Sequence, residues 1–349
     1  MESENKNGLV GLKNRGNTCY LNTSIQCLSN IEPLTEYFLM NNHLRDLNNR
    51  FIELNEKKAN EIILTNEYSK LIKALWSSKW TPQGSSLEPK SFHELIQRCD
   101  NRFAGFDQHD SQEVLALILD NLHEGLKYDV DITYSGKAKH NLDKITIASI
   151  QNLKKDLDNK YSIIVELFFG QFINKIMNQK DDSLVINKFE MFSMLTVPIA
   201  GNTLYNSLDK YFENELLETK YLDEKTNNHI DAYKQIRITV VPKFVIIILK
   251  RYKTINNNYI KSTNAVEFPI NDLDLSKYCE GYDSCGCTLK LSSIGCHRGN
   301  LMAGHYFSVC RHKNGKWYTY NDDNVNEFDI VLHNNMLFKD AYMLIYERI

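Results

Sequence analysis

The first third of the chain carries apolar residues three and four positions apart, which is the spacing of helices with one buried face. This pattern predicts four helices, at residues 18–31, 68–75, from 92 onwards and 110–125. Pro33 lies just past the first of them, where a helix commonly ends. Ser91 and Glu94 have the spacing of a capping box, which predicts that the third helix begins at Phe92.

The later part of the chain has the pattern of β-strands. Residues 239–252 predict one buried strand with Pro242 near its beginning, and further strands are expected at residues 289–296, 306–312 and 316–320. Asn314 and Gly315 form a strong turn signal, so the last two strands should make a hairpin. Residues 129–161 are polar and predict an insertion with one helix near residues 149–157. Because no linker or internal repeat separates the two halves, we expect one α+β domain.

Composition and charge narrow the classes of function. The 24% charged and 42% hydrophobic residues are ordinary for a globular protein, and a formal net charge of -3 gives no electrostatic reason to bind nucleic acid or an anionic membrane. The longest apolar run, residues 244–249, is far shorter than the roughly 20 residues that span a bilayer, and the first residues lack a signal-peptide core. The eight cysteines are unevenly spaced, so we expect reduced thiols in the cytosol or nucleus.

Cys19 is the first candidate for chemistry because it stands where the first predicted helix begins. The unpaired backbone N–H groups and the positive end of the helix dipole both favour a thiolate at such a position. Gly16 allows the approaching backbone to turn sharply, and the small Thr18 leaves the sulfur accessible. Position alone does not establish a nucleophile, since most free cysteines are buried structural residues.

His305 is the second candidate, because it follows a glycine, opens a predicted strand and is joined through the hairpin to Asn321, Asp322 and Asp323. A two-residue turn would pair His305 with Asn324 and place Asp322 on the face of the histidine. A three-residue turn or one bulge would reverse that parity and favour Asn321. Strand periodicity leaves the third member of the group open.

Five segments of the chain, in this order, resemble the motifs of the ubiquitin-specific protease family of cysteine deubiquitinases. Residues 11–22 are similar to its cysteine box, 108–113 to its acidic box, 167–171 and 249–252 to two internal landmarks, and 304–306 with 317–323 to its histidine box. Together they cover nearly the whole chain, from about residue 9 to residue 346. One such motif would be weak evidence, whereas five in family order are highly specific.

The resemblance implies a papain-like fold that is shaped like a right hand. A helical thumb is expected at about residues 9–128, the insertion at about 129–162, and β-stranded fingers and palm at about 163–349, after an N-terminal tail of residues 1–8. Many relatives hold a structural zinc ion in the fingers through two pairs of cysteines. The matching stretches here, residues 172–189 and 221–231, contain no cysteine, so we expect fingers without zinc and no cofactor.

The resemblance also implies a role for single residues. Cys19 matches the nucleophile, His305 the general base, and Asn321 the third member of the triad, with Asp322 as an auxiliary or alternative orienting group. Asn14, five residues before the cysteine, matches the side chain that donates to the oxyanion.

Acidic residues of the second box meet the basic tail of ubiquitin in related proteases, which points to Asp110 and Glu113. The competing interpretation is an acidic first turn that stabilises its own helix, and both roles are compatible. His297 lacks the Gly-His-Tyr setting of His305 and is expected to stand outside the triad. A metal site is not expected at a further cluster, which comprises Cys279, Cys285, Cys287, Cys296 and His297.

The implied function is hydrolysis of isopeptide or peptide bonds formed by the C-terminal glycine of ubiquitin. The expected partners are ubiquitin and ubiquitinated proteins. The protein is expected to be a monomer and to bind neither nucleic acid nor a membrane. Two alternatives remain open: an inactive module that grips ubiquitin without cleaving it, and a protease for another ubiquitin-like modifier.

Overall fold

A helical half and a strand half meet along one buried helix in a computed structural model that describes residues 7–48, 56–77, 86–133, 135–255, 258–300 and 304–349. The α+β class expected from the sequence is confirmed. Residues 1–6 of the expected N-terminal tail lie outside the described residues.

The helices of the described residues, numbered in chain order, occur mainly in the first half of the chain. They are α1 Cys19–Ser29, α2 Glu32–Leu39, α3 Asn42–Asn48, α4 Glu56–Leu75, α5 Lys90–Cys99, α6 Ser111–Leu126, α7 Asn141–Asp156, α8 Ile163–Phe168, α9 Leu204–Tyr211 and α10 Asn334–Asp340. Short 3₁₀ turns occupy Asn101–Phe103, Ser276–Tyr278 and Tyr282–Cys285.

All four predicted helices of the first third are confirmed, but the capping box was wrong. Helix α5 begins at Lys90 with Pro89 at its N-cap, and no side chain caps it. Ser91 therefore lies inside the first turn, where it cannot accept from the N–H groups that a capping serine satisfies.

The strands dominate the second half. They are β1 Gly11–Leu12, β2 Ser86–Leu87, β3 Tyr128–Asp129, β4 Lys160–Tyr161, β5 Gly170–Asn178, β6 Leu184–Phe192, β7 Leu195–Pro198, β8 Glu215–Leu216, β9 Tyr221–Asp223, β10 Asn228–Ile230, β11 Ala232–Val240, β12 Phe244–Lys250, β13 Tyr252–Ile255, β14 Asn258–Lys261, β15 Leu273–Asp274, β16 Thr288–Gly299, β17 Gly304–Arg311, β18 Trp317–Asn321, β19 Asn324–Glu327 and β20 Ala341–Arg348.

Two larger sheets contain most of these strands, and the others form the two-stranded pairs β1–β2, β3–β4, β9–β10 and β13–β14. The large sheet has the order β19-β18-β17-β16-β20-β12-β7, with β15 also paired to β16, and its β12–β7 pair is parallel. The small sheet has the order β6-β5-β11-β8, and the β9–β10 hairpin lies between β8 and β11 in the chain. The strands predicted at residues 289–296, 306–312 and 316–320 correspond to β16, β17 and β18.

The single strand expected at residues 239–252 was wrong. Strand β11 ends at Val240 in the small sheet, and β12 begins at Phe244 in the large sheet. Pro242 lies between them, where a residue without an N–H group costs no ladder hydrogen bond. The segment 239–252 therefore passes from one sheet to the other.

The insertion contains a longer helix than its polar sequence predicted. Helix α7 starts at Asn141, where the Asp143 carboxylate accepts from the backbone N–H groups of Lys139 (2.7 Å) and His140 (2.8 Å). Ser149 is buried and donates to Gln171 Oε1 of β5 at 2.5 Å. The insertion is thereby attached to the small sheet.

The large sheet separates two hydrophobic cores. Alternation along β17 sends Tyr306 and Cys310 to the core beneath the helices, and Phe307 and Val309 to the core on the other face. Helix α1 belongs to the first core, and all eleven of its residues are buried. A helix enclosed on every side positions its first residue, Cys19, with little freedom.

Gly125, in the last turn of α6, should resist substitution although alanine is the better helix former. A Cβ at this position would lie against the Thr65 hydroxyl and 3.0 Å from the Glu61 carbonyl oxygen of α4. We expect Gly125→Ala to lower the free energy of unfolding by about 1–3 kcal/mol through this crowding, measured by chemical denaturation. The double variant with Thr65→Ala should recover part of the loss, whereas a stabilised single variant would contradict the close packing of the two helices.

Candidate active site

Cys19 is the first residue of α1, and the loop before it is shaped by the side chain of Asn14. The Asn14 Oδ1 atom accepts from the backbone N–H groups of Gly16 (3.0 Å) and Thr18 (3.1 Å). Gly16 and Asn17 both have positive φ, at 92° and 55°, which turns the backbone sharply as the sequence predicted. Cys19 is buried, with 3% of the residue exposed, so the accessible sulfur expected from the sequence was wrong. Helix α1, which it begins, packs against β17.

The hairpin that carries His305 has a three-residue turn. His312 N–H donates to the Lys316 carbonyl (2.9 Å), and Gly315 adopts a φ of 85°. Ser308 lies opposite Tyr320 in this register, so Asn321 shares the face of His305. The parity that the sequence left open therefore places Asn321 beside the histidine. His305 Nε2 donates to Asn321 Oδ1 at 2.6 Å.

Cys19 lies close enough to His305 to change the pKa of its imidazole. The hydrogen bond with Cys19 is the largest of the interactions that raise the pKa of His305 to about 9, and the hydrogen bond with Asn321 acts in the same direction. Burial of the ring opposes both by disfavouring the charged form. The imidazole thus lies between a thiol and an orienting amide, which is the arrangement of a thiol hydrolase.

Asp322 lies near the histidine but is bonded elsewhere. Its Oδ2 is 3.9 Å from His305 Nε2, beyond a hydrogen bond. Its two oxygens accept from Asn14 Nδ2 (3.0 Å) and from Asn22 Nδ2 (2.8 Å). Asn321 therefore contacts the imidazole directly, whereas Asp322 adds only its charge and joins the strand hairpin to the segments on both sides of Cys19.

One N–H group of Asn14 is committed to Asp322, and an amide nitrogen carries two. The second N–H finds no acceptor among the residues that the structure describes, so it is available to a bound oxygen. This geometry is compatible with the oxyanion role that the sequence suggested.

Gln108 is a functional candidate to which the sequence analysis assigned no role. Its amide Nε2 donates to the Gly304 carbonyl (3.1 Å), and its Oε1 accepts from the Gly304 N–H (3.2 Å). This two-way contact fixes the main chain immediately before His305. Neither helical nor strand periodicity carries a signal for such a contact, because the residues are far apart in the chain.

A cleft of about 460 Å³ lies beside the site, lined among others by Asn17, Gln108, Asp110, Tyr252, His297 and Tyr306. Asp110 caps α6 by accepting from Gln112 N–H (2.7 Å), and it also accepts from the Tyr342 hydroxyl (2.5 Å). Burial raises the pKa of its carboxyl group. Glu113 is not among the residues that line the cleft; it is exposed and lies 3.7 Å from Arg102.

His297 stands outside the triad, as expected. Its Nδ1 lies within hydrogen-bond distance of Lys261 Nζ (2.8 Å) and the Tyr252 hydroxyl (3.0 Å). Burial and the Lys261 charge lower its pKa to about 4, so the ring is neutral at pH 7.

Within the described residues, no group of three or more histidine, cysteine, aspartate or glutamate side chains could hold a metal ion. The helices described also include none with the length and apolarity to cross a membrane.

Comparisons with known proteins add to this geometry. The family model described as ubiquitin carboxyl-terminal hydrolase matches residues 10–346. The human ubiquitin carboxyl-terminal hydrolase 2 is 31% identical over 99% of this chain and 56% of its own length. Human ubiquitin carboxyl-terminal hydrolase 21 is 27% identical over 97% of the chain and 61% of its own length. The chain therefore spans little more than half the length of these curated relatives.

Solved structures with similar folds cover the whole chain. The SAGA Ubp8/Sgf11/Sus1/Sgf73 DUB module bound to ubiquitin aldehyde matches with a TM-score of 0.77 and 21% identity, over 100% of this chain and 71% of the other. The same kind of module bound to monoubiquitin matches with a TM-score of 0.75 and 21% identity, over the same shares of the two chains. At that identity the likeness establishes the fold.

The contact between Cys19 and His305 can be tested through titration of the imidazole. Because His305 has a raised pKa, the ring should stay protonated as the pH passes 6.5 and lose its proton only near pH 9. Cys19→Ala removes the largest cause of the shift, so the midpoint should move downward, while Cys285→Ala, at an exposed cysteine, should leave it unchanged. NMR of the histidine ring protons measures both; a midpoint unaffected by Cys19→Ala would contradict the contact.

Proposed function

The chain belongs to the ubiquitin carboxyl-terminal hydrolase family, and from that premise we propose that it is a cysteine deubiquitinase. The reaction is thiol-dependent hydrolysis of isopeptide or peptide bonds formed by the C-terminal glycine of ubiquitin. The observation that carries the proposal is the contact of Cys19 with His305, whose Nε2 is held by Asn321. These are the nucleophile, base and orienting group of a cysteine hydrolase.

In the first step, the Cys19 sulfur attacks the carbonyl carbon of the C-terminal glycine, and the C=O electron pair moves onto oxygen. The second N–H of Asn14 and a backbone N–H at the start of α1 donate to that oxyanion. A donor of this kind is worth about 3 kcal/mol of barrier. When the intermediate collapses, the C–N bond breaks and His305 gives its proton to the leaving lysine amine. A thioester between Cys19 and ubiquitin remains.

Hydrolysis of the thioester completes the cycle. His305, now neutral, takes a proton from water, and the hydroxide equivalent attacks the thioester carbon. The C–S bond breaks and Cys19 leaves as a thiolate beside the protonated imidazole, while the acid formed at the ubiquitin C-terminus loses the second proton of the water to solvent and departs as a carboxylate. Asn321 keeps the ring oriented through both steps, because it binds the nitrogen that does not exchange the proton.

Asp322 acts in this proposal as a positioning residue. Its carboxylate binds Asn14, the oxyanion donor, and Asn22, which lies on α1 close to Cys19. Loss of that charge would release Asn14 without removing any group that touches the reacting atoms.

The cleft lined by Asp110 is the proposed path of the ubiquitin tail. A half-buried carboxylate with spare lone pairs suits the basic tail, and the Asn17 and Gln108 side chains offer amides to its main chain. Glu113 is exposed, so it would meet a basic residue only outside this cleft. Its role in tail binding is the weaker of the two proposals.

Our proposed division of the chain follows the two sheets. Helices α1–α6 form the thumb at about residues 9–128, residues 129–162 are an insertion, and residues 163–349 form the fingers and the palm.

The small sheet exposes apolar side chains at Leu184, Ile186 and Leu216, which supports contact with the globular body of ubiquitin. Partners are thus ubiquitin and ubiquitinated proteins. A monomeric, intracellular protein without cofactor remains our prediction, and its eight cysteines are all free thiols.

The test is turnover of ubiquitin that carries a fluorogenic amide at its C-terminus. The chain should release the fluorophore, and Cys19→Ala should reduce release to the background rate because the thioester cannot form. Cys285→Ala, a matched change at an exposed cysteine, should keep full activity. Equal turnover by Cys19→Ala would refute the nucleophile. Binding of ubiquitin without turnover would favour an inactive module, and preference for another modifier would replace ubiquitin as substrate.

A further inference from the structure

A second groove lies next to the site, on the face of the large sheet opposite the cleft that Asp110 lines. It has a volume of about 700 Å³, and the residues that line it include Arg298, His305, Phe307, Thr319, Asn321 and Asn326. In the β16–β17 pair, Arg298 lies opposite His305, whereas His297 lies opposite Tyr306. Residues that alternate along a strand point to opposite faces, so the cleft with His297 and Tyr306 and the groove with Arg298 and His305 occupy the two faces of the same strand pair.

The linings of the two cavities come next to each other at the beginning of β17, where His305 lines the groove and the adjacent Tyr306 lines the cleft. A substrate whose scissile carbonyl is at Cys19 must extend in two directions, one for the acyl chain and one for the amine. The cleft with Asp110 suits the acyl chain, because it holds the carboxylate for the basic tail. The groove contains His305 itself, which is the group that protonates the leaving amine.

The lining of the groove suits a polypeptide. Asn321 lies opposite Asn324, and Thr319 opposite Asn326, so the side chains of β18 and β19 present amide and hydroxyl groups in a row on one face. Amide side chains match the donors and acceptors of an extended main chain. Strand β19 is also the last strand of the large sheet in that direction.

The remaining wall is apolar, and its arginine is paired with a carboxylate. Phe307, Phe328 and Met336 line the floor. The Arg298 guanidinium lies 5.3 Å from the centre of the Phe307 ring and is bound to the Asp340 carboxylate at 2.6 and 3.0 Å. Because the Asp340 carboxylate compensates the charge of Arg298, the arginine does not select an anion. The groove therefore favours a neutral peptide segment with an apolar side chain over a phosphate or nucleotide.

We propose that this groove, the leaving-group groove, binds the polypeptide segment of the conjugated protein that carries the modified lysine. The proposal rests on the proposed function and assigns the groove to the side of the scissile bond opposite ubiquitin. It predicts that groove residues affect only substrates whose leaving group is a polypeptide. A small aromatic amine is too short to extend along β19.

Asn326→Trp tests this assignment. Asn326 is exposed on the edge strand β19, where an aromatic residue is readily accommodated, and its side chain would fill the groove away from Cys19. We measure kcat/KM for two substrates: ubiquitin with a small fluorogenic amide, and ubiquitin joined through an isopeptide bond to the lysine of a short peptide. The variant should lose about tenfold on the isopeptide and stay within about twofold on the small amide. Asn326→Ala should give a smaller loss with the same selectivity.

Val331→Trp is the matched control, because Val331 is exposed near α10 but is not among the residues that line the groove. It should leave both substrates unchanged. Equal loss on both substrates in Asn326→Trp, or no loss on either, would refute the groove while leaving the proposed function intact. Failure of the unsubstituted chain to cleave the small amide would instead refute the proposed function, and the groove's role with it.

Discussion

One carboxylate joins the two parts of the chain that make up the site. Asp322, at the end of the β17–β18 hairpin, accepts from Asn14 and Asn22, which are about 300 positions earlier in the chain. Its main-chain oxygen also accepts from Leu12 N–H at 2.8 Å. Hydrogen bonds to a charged acceptor contribute about 1.5–3 kcal/mol each, more than neutral ones. Asn14 and Asn22 lie on either side of Cys19 in the chain, and Asp322 directly follows Asn321. The distance between the Cys19 thiol and the His305 imidazole therefore depends on these hydrogen bonds.

A second polar contact fixes β17, the neighbouring strand of the hairpin, at its beginning. Gln108 holds the main chain of Gly304, and this glycine precedes His305 directly. The histidine is therefore positioned through residues before and after it, by side chains that belong to the helical half. Apolar packing alone would hold α1 and β17 together, but it would allow small shifts. A misplacement of about 1 Å can cost about a hundredfold in rate, so directional hydrogen bonds are the suitable means of positioning.

The sequence predicted the parts of the fold that depend on local pattern. The four helices, the hairpin strands and the α+β class follow from periodicity and turn residues. It did not predict the break at Pro242, because the strand-like residues on the two sides of the proline do not reveal that they belong to different sheets. Strand pattern alone could not choose Asn321 over Asp322, because the choice requires the turn length, which the Asn-Gly pair left open; the family resemblance indicated Asn321. The hydrogen bonds of Asp322 and Gln108 join residues that are far apart in the chain, and no local sequence pattern predicts such pairs.

The central claim is that Cys19, among eight cysteines, is the residue that meets the C-terminus of ubiquitin at the His305–Asn321 pair. Covalent trapping with ubiquitin that carries a thiol-reactive electrophile in place of its terminal carboxylate tests this most directly. Digestion and mass spectrometry of the adduct should locate the bond on the peptide that contains Cys19, at one ubiquitin per chain. An adduct on the exposed Cys285, or no adduct with a probe of proven reactivity, would contradict the account.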